Sequence, residues 1–347
     1  MAENVRSTEH CIGRRELLLS FASSLCAVAV ARRARGDFAQ QSPMDPLSEL
    51  LPGWSDASRA IVQNRLLKPG ATGRIGGDEV EALAHMEART VENLMVEMLP
   101  VARQYSRSPL SNFKVGAVAL GASGALYLGA NIEIPGNGLN QTVHAEQSAL
   151  ANAFAHAERG IVAIAVTAAP CGHCRQFLNE ITGGSHIRVI VKGGTVQTLE
   201  ALLPASFGPQ DLGITAGLFS GPVASIRLSS GTRDALAVTA LEAAARAYAP
   251  HTKAIAGCGV RTSSGRTYAG SYLENAAFNP SLSPLQAALV NVVFAGEAFG
   301  AITRVALVEM RGAAISQRPA TEAVLRVIAP SARLDLFTSQ NRAPGTT

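Results

Sequence analysis

The chain has 347 residues, 47% of them hydrophobic and 16% charged, with a mean hydropathy of +0.17; such a composition can bury a real core and excludes disorder over most of the length. Its 30 Lys and Arg oppose 26 Asp and Glu for a net charge of +4, and residues 1–43 hold six Arg against four acids, so the rest carries only +2, too balanced for a polyanion-binding surface. Five Cys exclude a disulfide scaffold, and one Trp with five Tyr argues against a stacking platform for single-stranded nucleic acid.

At the N-terminus, Arg14 and Arg15 precede an uncharged stretch from Leu17 to Ala31 that is shorter than the roughly 20 residues of a transmembrane helix. Basic residues, then apolar ones, then Ala34 and Gly36 resemble a secretory signal, and GRRELLL resembles a twin-arginine export signal. The alternative is a true start at Met44. Residues 1–43 are therefore an extension or an export signal, and the protein is expected in the cytoplasm or, through that signal, in the periplasm. Cys11, Cys26 and Cys258 stand alone and read as tolerated or buried thiols.

Residues 44–94 space apolar side chains by three and four, in ASRAIVQNRLL and DEVEALAHMEARTVENLMVEML, as a small helical module broken by KPGATGRIGG. Packing or assembly is its expected job, since it is too small to hold a large site. From Asn112 the period becomes that of strands. FKVGAVAL, GASG and ALYLGANIE predict a hairpin; TVHAEQSALANAFAHAERG predicts a helix capped by Thr142 and ended at Gly160; IVAIAVTAAP predicts a doubly covered strand. A helix from Cys171 to about Ile181 and the strand IRVIVK follow. This order predicts an α/β fold, an α/β/α three-layer sandwich around a mixed sheet, over residues 95–218.

Residues 231–340 repeat that plan after a linker near Phe219–Ser230. GALYLGANIE lies over GRTYAGSYLE and HAEQSAL over SPLQAAL, so His144 is matched by Ser283, Glu146 by Leu285 and Asn131 by Tyr272. The second copy has no CxxC. The reactive groups are thus confined to the first copy.

His144, Cys171 and Cys174 are three ligands of the kind zinc favours, and a catalytic zinc keeps three protein ligands and one open position. Helix N-termini would stabilise the thiolates that the metal requires. Glu146, two residues from His144, is a candidate proton shuttle beside an activated water. A structural zinc would want a fourth Cys or His, and only His173, inside the CxxC spacer, is nearby. Singly these elements are weak; HAE followed by PCGHC across an intervening strand matches the H-x-E…P-C-x-x-C signature of zinc-dependent base deaminases.

NIE, QTVHAEQSA, PCGHCRQFLNE and the repeat containing ENAAFNP resemble the cytidine deaminases, of the larger homodimeric type with a helical module, a catalytic domain and a degenerate second domain, from about Met44 to about Leu336. The resemblance implies one Zn²⁺ per subunit on His144, Cys171 and Cys174, with Glu146 as the catalytic carboxylate. It implies that Asn131 and Glu133 bind the ribose hydroxyls, that Ala145 lies against the substrate, that Phe113 packs on the pyrimidine or sugar, that Phe207 closes over the base, and that Phe278 reaches the partner's site. Plain core is the competing reading of each Phe. Arg175 either supports the thiolates or forms a surface ion pair.

The implied reaction is hydrolytic deamination of cytidine and 2′-deoxycytidine to uridine and 2′-deoxyuridine, with ammonia released, serving pyrimidine salvage without nucleic acid or a membrane span. Water attacks C4 while Glu146 protonates N3 and then the departing amine. Two other functions compete. A polynucleotide or tRNA base deaminase shares HxE and PCxxC but would want a basic channel and exposed aromatics, and an inactive zinc-binding scaffold would not need Glu146.

Overall fold

A computed structural model of the chain describes residues 45–342. The N-terminal extension, including Cys11, Cys26 and the twin-arginine-like stretch, lies outside the described residues, as do Met44 and residues 343–347.

The helical module is built from α1 (Leu47–Leu50), α2 (Asp56–Leu66), α3 (Gly77–Met86) and α4 (Val91–Glu97), followed by α5 (Leu99–Gln104). Ser55 and Thr90 accept the Ser58 and Asn93 N–H groups and so cap α2 and α4, which explains why those helices start there. The three-and-four spacing buries Val62, Leu66, Val80, Leu83, Leu94 and Met95 in one core continuous with the rest of the chain. KPGATGRIGG does more than break helices: Arg74–Ile75 forms β1, antiparallel to Leu126–Ala130, which is β3. Gly73 makes this possible. Its φ is +65°, its carbonyl accepts from Leu128 N–H, and a Cβ there would lie 2.7 Å from the Phe294 ring.

The first copy continues with β2 (Gly116–Gly121), β3, α6 (Ala145–Ala155), β4 (Ile161–Val166), α7 (Gly172–Leu178), β5 (Arg188–Val191), β6 (Val196–Thr198) and α8 (Leu199–Leu202). Its six-stranded sheet runs β1-β3-β2-β4-β5-β6, parallel only between β4 and β5. The second copy comprises β7 (Ile226–Leu228), α9 (Ala235–Ala245), β8 (Ala256–Thr262), β9 (Thr267–Ser271), α10 (Pro284–Phe294), β10 (Ile302–Met310), α11 (Arg318–Ile328) and β11 (Arg333–Asn341), with sheet order β7-β11-β10-β8-β9. The strands β3, β2, β4 and β5 thus recur as β9, β8, β10 and β11. β7 falls in the stretch read as linker.

Two glycines in each copy bring helices onto both sheet faces. Gly116 and Gly129 belong to neighbouring pairs of the β2–β3 ladder and so face opposite ways: the backbone of α5 lies against Gly116 and that of α6 against Gly129. Gly257 and Gly270 do the same for α9 and α10. The copies meet through α6 and α10, where Gln147 Nε2 donates to the Pro280 carbonyl at 2.9 Å and Gln286 Nε2 to that of Gln141 at 3.0 Å.

Three local expectations are corrected. Thr142 does not cap α6; it ends the short 3₁₀ turn Leu139–Gln141, and His144 is the N-cap residue. That helix ends at Ala155, before the left-handed Ala157 (φ +56°), and Gly160 instead leads into β4. β2 starts only at Gly116, because the residues before it are a loop tied to Asn131 and Glu133 by side-chain bonds.

A Cβ on Gly129 would lie 2.1 Å from the Ala145 carbonyl oxygen, and one on Gly270 2.2 Å from the Ala288 nitrogen, both backbone atoms. Gly129→Ala and Gly270→Ala are each expected to cost about 1–3 kcal/mol in urea unfolding through overpacking. Gly300→Ala, with open space around it, should be near neutral. Equal midpoints for all three would contradict this close approach.

Candidate active site

α6 and α7 both point their N-termini at one spot. His144 caps α6, Cys171 caps α7 and Cys174 lies in the first turn of α7. Cys171 Sγ is 3.5 Å from His144 Nδ1 and 3.7 Å from Cys174 Sγ, and Cys174 Sγ is 3.3 Å from the same nitrogen. A tetrahedral zinc, with Zn–S near 2.3 Å and Zn–N near 2.0 Å, sets its ligand atoms about 3.8 Å apart for two sulfurs and about 3.5 Å for sulfur and nitrogen. The three atoms therefore already have the spacing of a zinc site, and among the described residues this is the one His/Cys/Asp/Glu group with that character.

The electrostatics couple the three groups to one another. The Cys174 thiol beside it and the His144 ring pull the Cys171 thiol down to about 3, whereas Cys171 and burial push the Cys174 thiol up. Cys171 in turn raises His144. A bound cation would favour both thiolates. The His173 ring stacks on His144 at 5.1 Å and does not join the ligand group, and burial lowers its pKa. Glu146 is almost wholly buried in the first turn of α6, and burial raises its carboxyl above the ordinary range, poising it to hold and release a proton.

A cavity of about 270 Å³ opens beside this group, bordered by Phe113, Asn131, Glu133, His144, Ala145, Glu146 and Cys171. Asn131 Oδ1 accepts from Ser106 Oγ at 2.6 Å and Val115 N–H at 2.9 Å, while Nδ2 donates to the Phe113 carbonyl at 3.0 Å. One Asn131 N–H is left for a ligand. Glu133 Oε2 accepts from the N–H groups of Leu110 and Ser111, and its Oε1 from the Ser111 hydroxyl, leaving about one lone-pair direction free. Phe113, 59% exposed, stands at the cavity mouth. A larger cleft of about 570 Å³, beyond the far end of α6 and beside α9, holds none of these groups.

Within one chain, Phe207 and Phe278 do not border the cavity. Phe207 is 48% exposed in the loop after α8, its carbonyl held by Gln176 and Asn179. Phe278 is 62% exposed on a second-copy turn with φ +62°. Among the described residues Arg175 forms no surface ion pair; it donates to the Pro170 and Leu202 carbonyls at 2.8 Å and so braces the PCxxC turn. In the second copy Ser283 caps α10 through the Gln286 N–H, and Tyr272 is buried at the position of Asn131. Gln147 and Gln286, which cross-link the copies, were not singled out from the sequence. Their signal was the retention of Gln in both HAEQ and SPLQ while the residues around it changed.

The family described as the cytidine and deoxycytidylate deaminase zinc-binding region matches this chain twice, over residues 88–190 and 199–322. The cytidine deaminase of Vibrio atlanticus is 40% identical over 274 residues, covering 79% of this chain and 92% of that protein. Those of Vibrio cholerae (strain O395) and Pectobacterium carotovorum are 44% and 43% identical over 73% and 74% of this chain and 85% and 86% of theirs. The solved structure of cytidine deaminase from Burkholderia pseudomallei is 33% identical over 33% of this chain and 98% of that one, with a TM-score of 0.31. With relatives this similar over most of their own length, the chain belongs to the cytidine deaminase family.

Proposed function

We propose that this chain hydrolyses the amino group from cytidine and 2′-deoxycytidine, yielding uridine and 2′-deoxyuridine with ammonia, in a site whose machinery lies in the first copy. The observation that carries this reading is the zinc-like spacing of His144, Cys171 and Cys174 beside a buried carboxyl. These three residues hold the metal, which when bound supplies Lewis-acid activation of the attacking water. Glu146 moves the protons: it takes one as water adds to C4 and passes it to N3, then takes the proton of the new C4 hydroxyl and passes it to the exocyclic nitrogen as the C4–N4 bond breaks and ammonia leaves. Asn131 and Glu133 direct their remaining N–H and lone pair at the ribose hydroxyls, and Ala145 and Phe113 bound the nucleoside.

The protein acts as a homodimer. Supporting this are the exposed Leu139 and Phe113 and a bulky Phe278 held in left-handed backbone, a conformation that a non-Gly residue adopts at a cost. Phe278 meets the partner's site, and Phe207 closes over the base once that site is filled. Salvage of nucleosides already taken up places the enzyme in the cytoplasm. Among the described residues no helix is long and apolar enough to cross a membrane.

Glu146→Gln is expected to retain its zinc and lose on the order of 10²–10⁴ in kcat towards cytidine, followed by ultraviolet absorbance; a loss below about tenfold would remove Glu146 from the mechanism. Metal analysis of Cys171→Ala and Cys174→Ala should find little zinc, and full occupancy in both would assign the metal to other groups. Sedimentation at micromolar concentration should give twice the 36.0 kDa of the chain, less any removed extension, and a fully active monomer would refute the dimer.

A further inference from the structure

Glu180 lies six residues after Cys174, just beyond α7, and its carboxylate is completely buried. All three of its side-chain hydrogen bonds come from the second copy. Oε1 accepts from the Tyr248 hydroxyl at 2.8 Å and from His251 Nε2 at 3.1 Å, and Oε2 accepts from the Ala276 N–H at 2.8 Å. Asn275 Nδ2 adds a bond to the Gln176 carbonyl on α7 at 2.9 Å.

The second-copy loop that carries Tyr248 and His251 is itself held by a carboxylate. Glu274 accepts from the His251 and Thr252 N–H groups and the Thr252 hydroxyl, as Glu133 accepts from the Leu110 and Ser111 N–H groups and the Ser111 hydroxyl. Even the left-handed residue recurs, Asn112 at φ +55° and Lys253 at +60°. The clasp around the nucleoside cavity of the first copy is therefore built again in the second, where Tyr272 replaces Asn131 and no metal ligands remain. There it aims at Glu180.

A helix of seven residues such as α7 does not set its own position; its contacts do. We propose that Glu180 and Tyr248 are positioning residues for the metal site: the second copy's inherited binding loop anchors α7 through Glu180 and keeps Cys174 enclosed against His144. This rests on the reading of His144, Cys171 and Cys174 as the zinc ligands.

Three cysteines serve as internal probes, since Cys171 is exposed, Cys174 is 1% exposed and Cys258 in the second sheet is wholly buried. The full chain, zinc-loaded as purified, is treated with excess EDTA and N-ethylmaleimide, and modification of each cysteine is followed by peptide mass spectrometry. Tyr248→Phe, which removes only a hydroxyl, and Glu180→Gln are expected to speed labelling of Cys174 roughly tenfold, with Cys258 unchanged. Unchanged Cys174 rates overturn the proposal. So does equal acceleration of Cys174 and Cys258, which reports a loosened fold and no specific anchoring. Zinc content of the wild type is measured first. Its absence overturns the metal reading, and the labelling ratios then still decide whether the loop anchors the helix.

Discussion

Everything in the site depends on how closely α6 lies on β3. At Gly129 the strand has no side chain, and the helix backbone occupies the space where a Cβ would be. That contact fixes the first turn of α6, which carries His144 as cap and Glu146 as its second residue. A helix separated from the sheet by an ordinary side chain would put His144 out of reach of Cys171 and Cys174. The placement of His144 and Glu146 against the two cysteines thus originates in the absence of a Cβ on the neighbouring strand.

The same close approach at Gly270 builds a second copy with the same layers and none of the chemistry. Ser283 there is an ordinary helix cap, so the position of His144 is a helix N-cap in both copies and carries an imidazole only in the first. Tyr272 fills the space where an amide would face a ligand. The reactive constellation is therefore a small set of substitutions on a scaffold that stands without them.

The grouping of His144, Glu146, Cys171 and Cys174 was legible in the sequence because each lies at a helix start, where local spacing decides what faces what. His144 and Glu146 share one turn, as do Cys171 and Cys174, and only the meeting of the two turns is tertiary. Asn131 and Glu133 were legible as a motif, but their bonds to Ser106, Leu110, Ser111 and Val115 were not, since those link segments about 16 to 25 residues apart through a loop with no period. Glu180 was the hardest to read. Its partners lie 68 to 96 residues away in the other copy, and nothing in PCGHCRQFLNE distinguishes a buried acceptor from a solvated acid. β1 was hidden for a related reason: two residues carry no alternation, and only the free edge of β3 makes them a strand.

β6, near the end of the first copy, forms the last edge of the first sheet, and β7, in the stretch that joins the copies, forms the first edge of the second. Both are three residues long, and each pairs antiparallel with a strand that would otherwise end its sheet on open N–H and C=O groups. Each sheet is therefore closed at that margin by a strand of its own, and neither borrows a strand from its twin. A cut between β6 and β7 would leave both margins sealed, so the two copies depend on each other through helix contacts and side-chain bonds and not through shared strands.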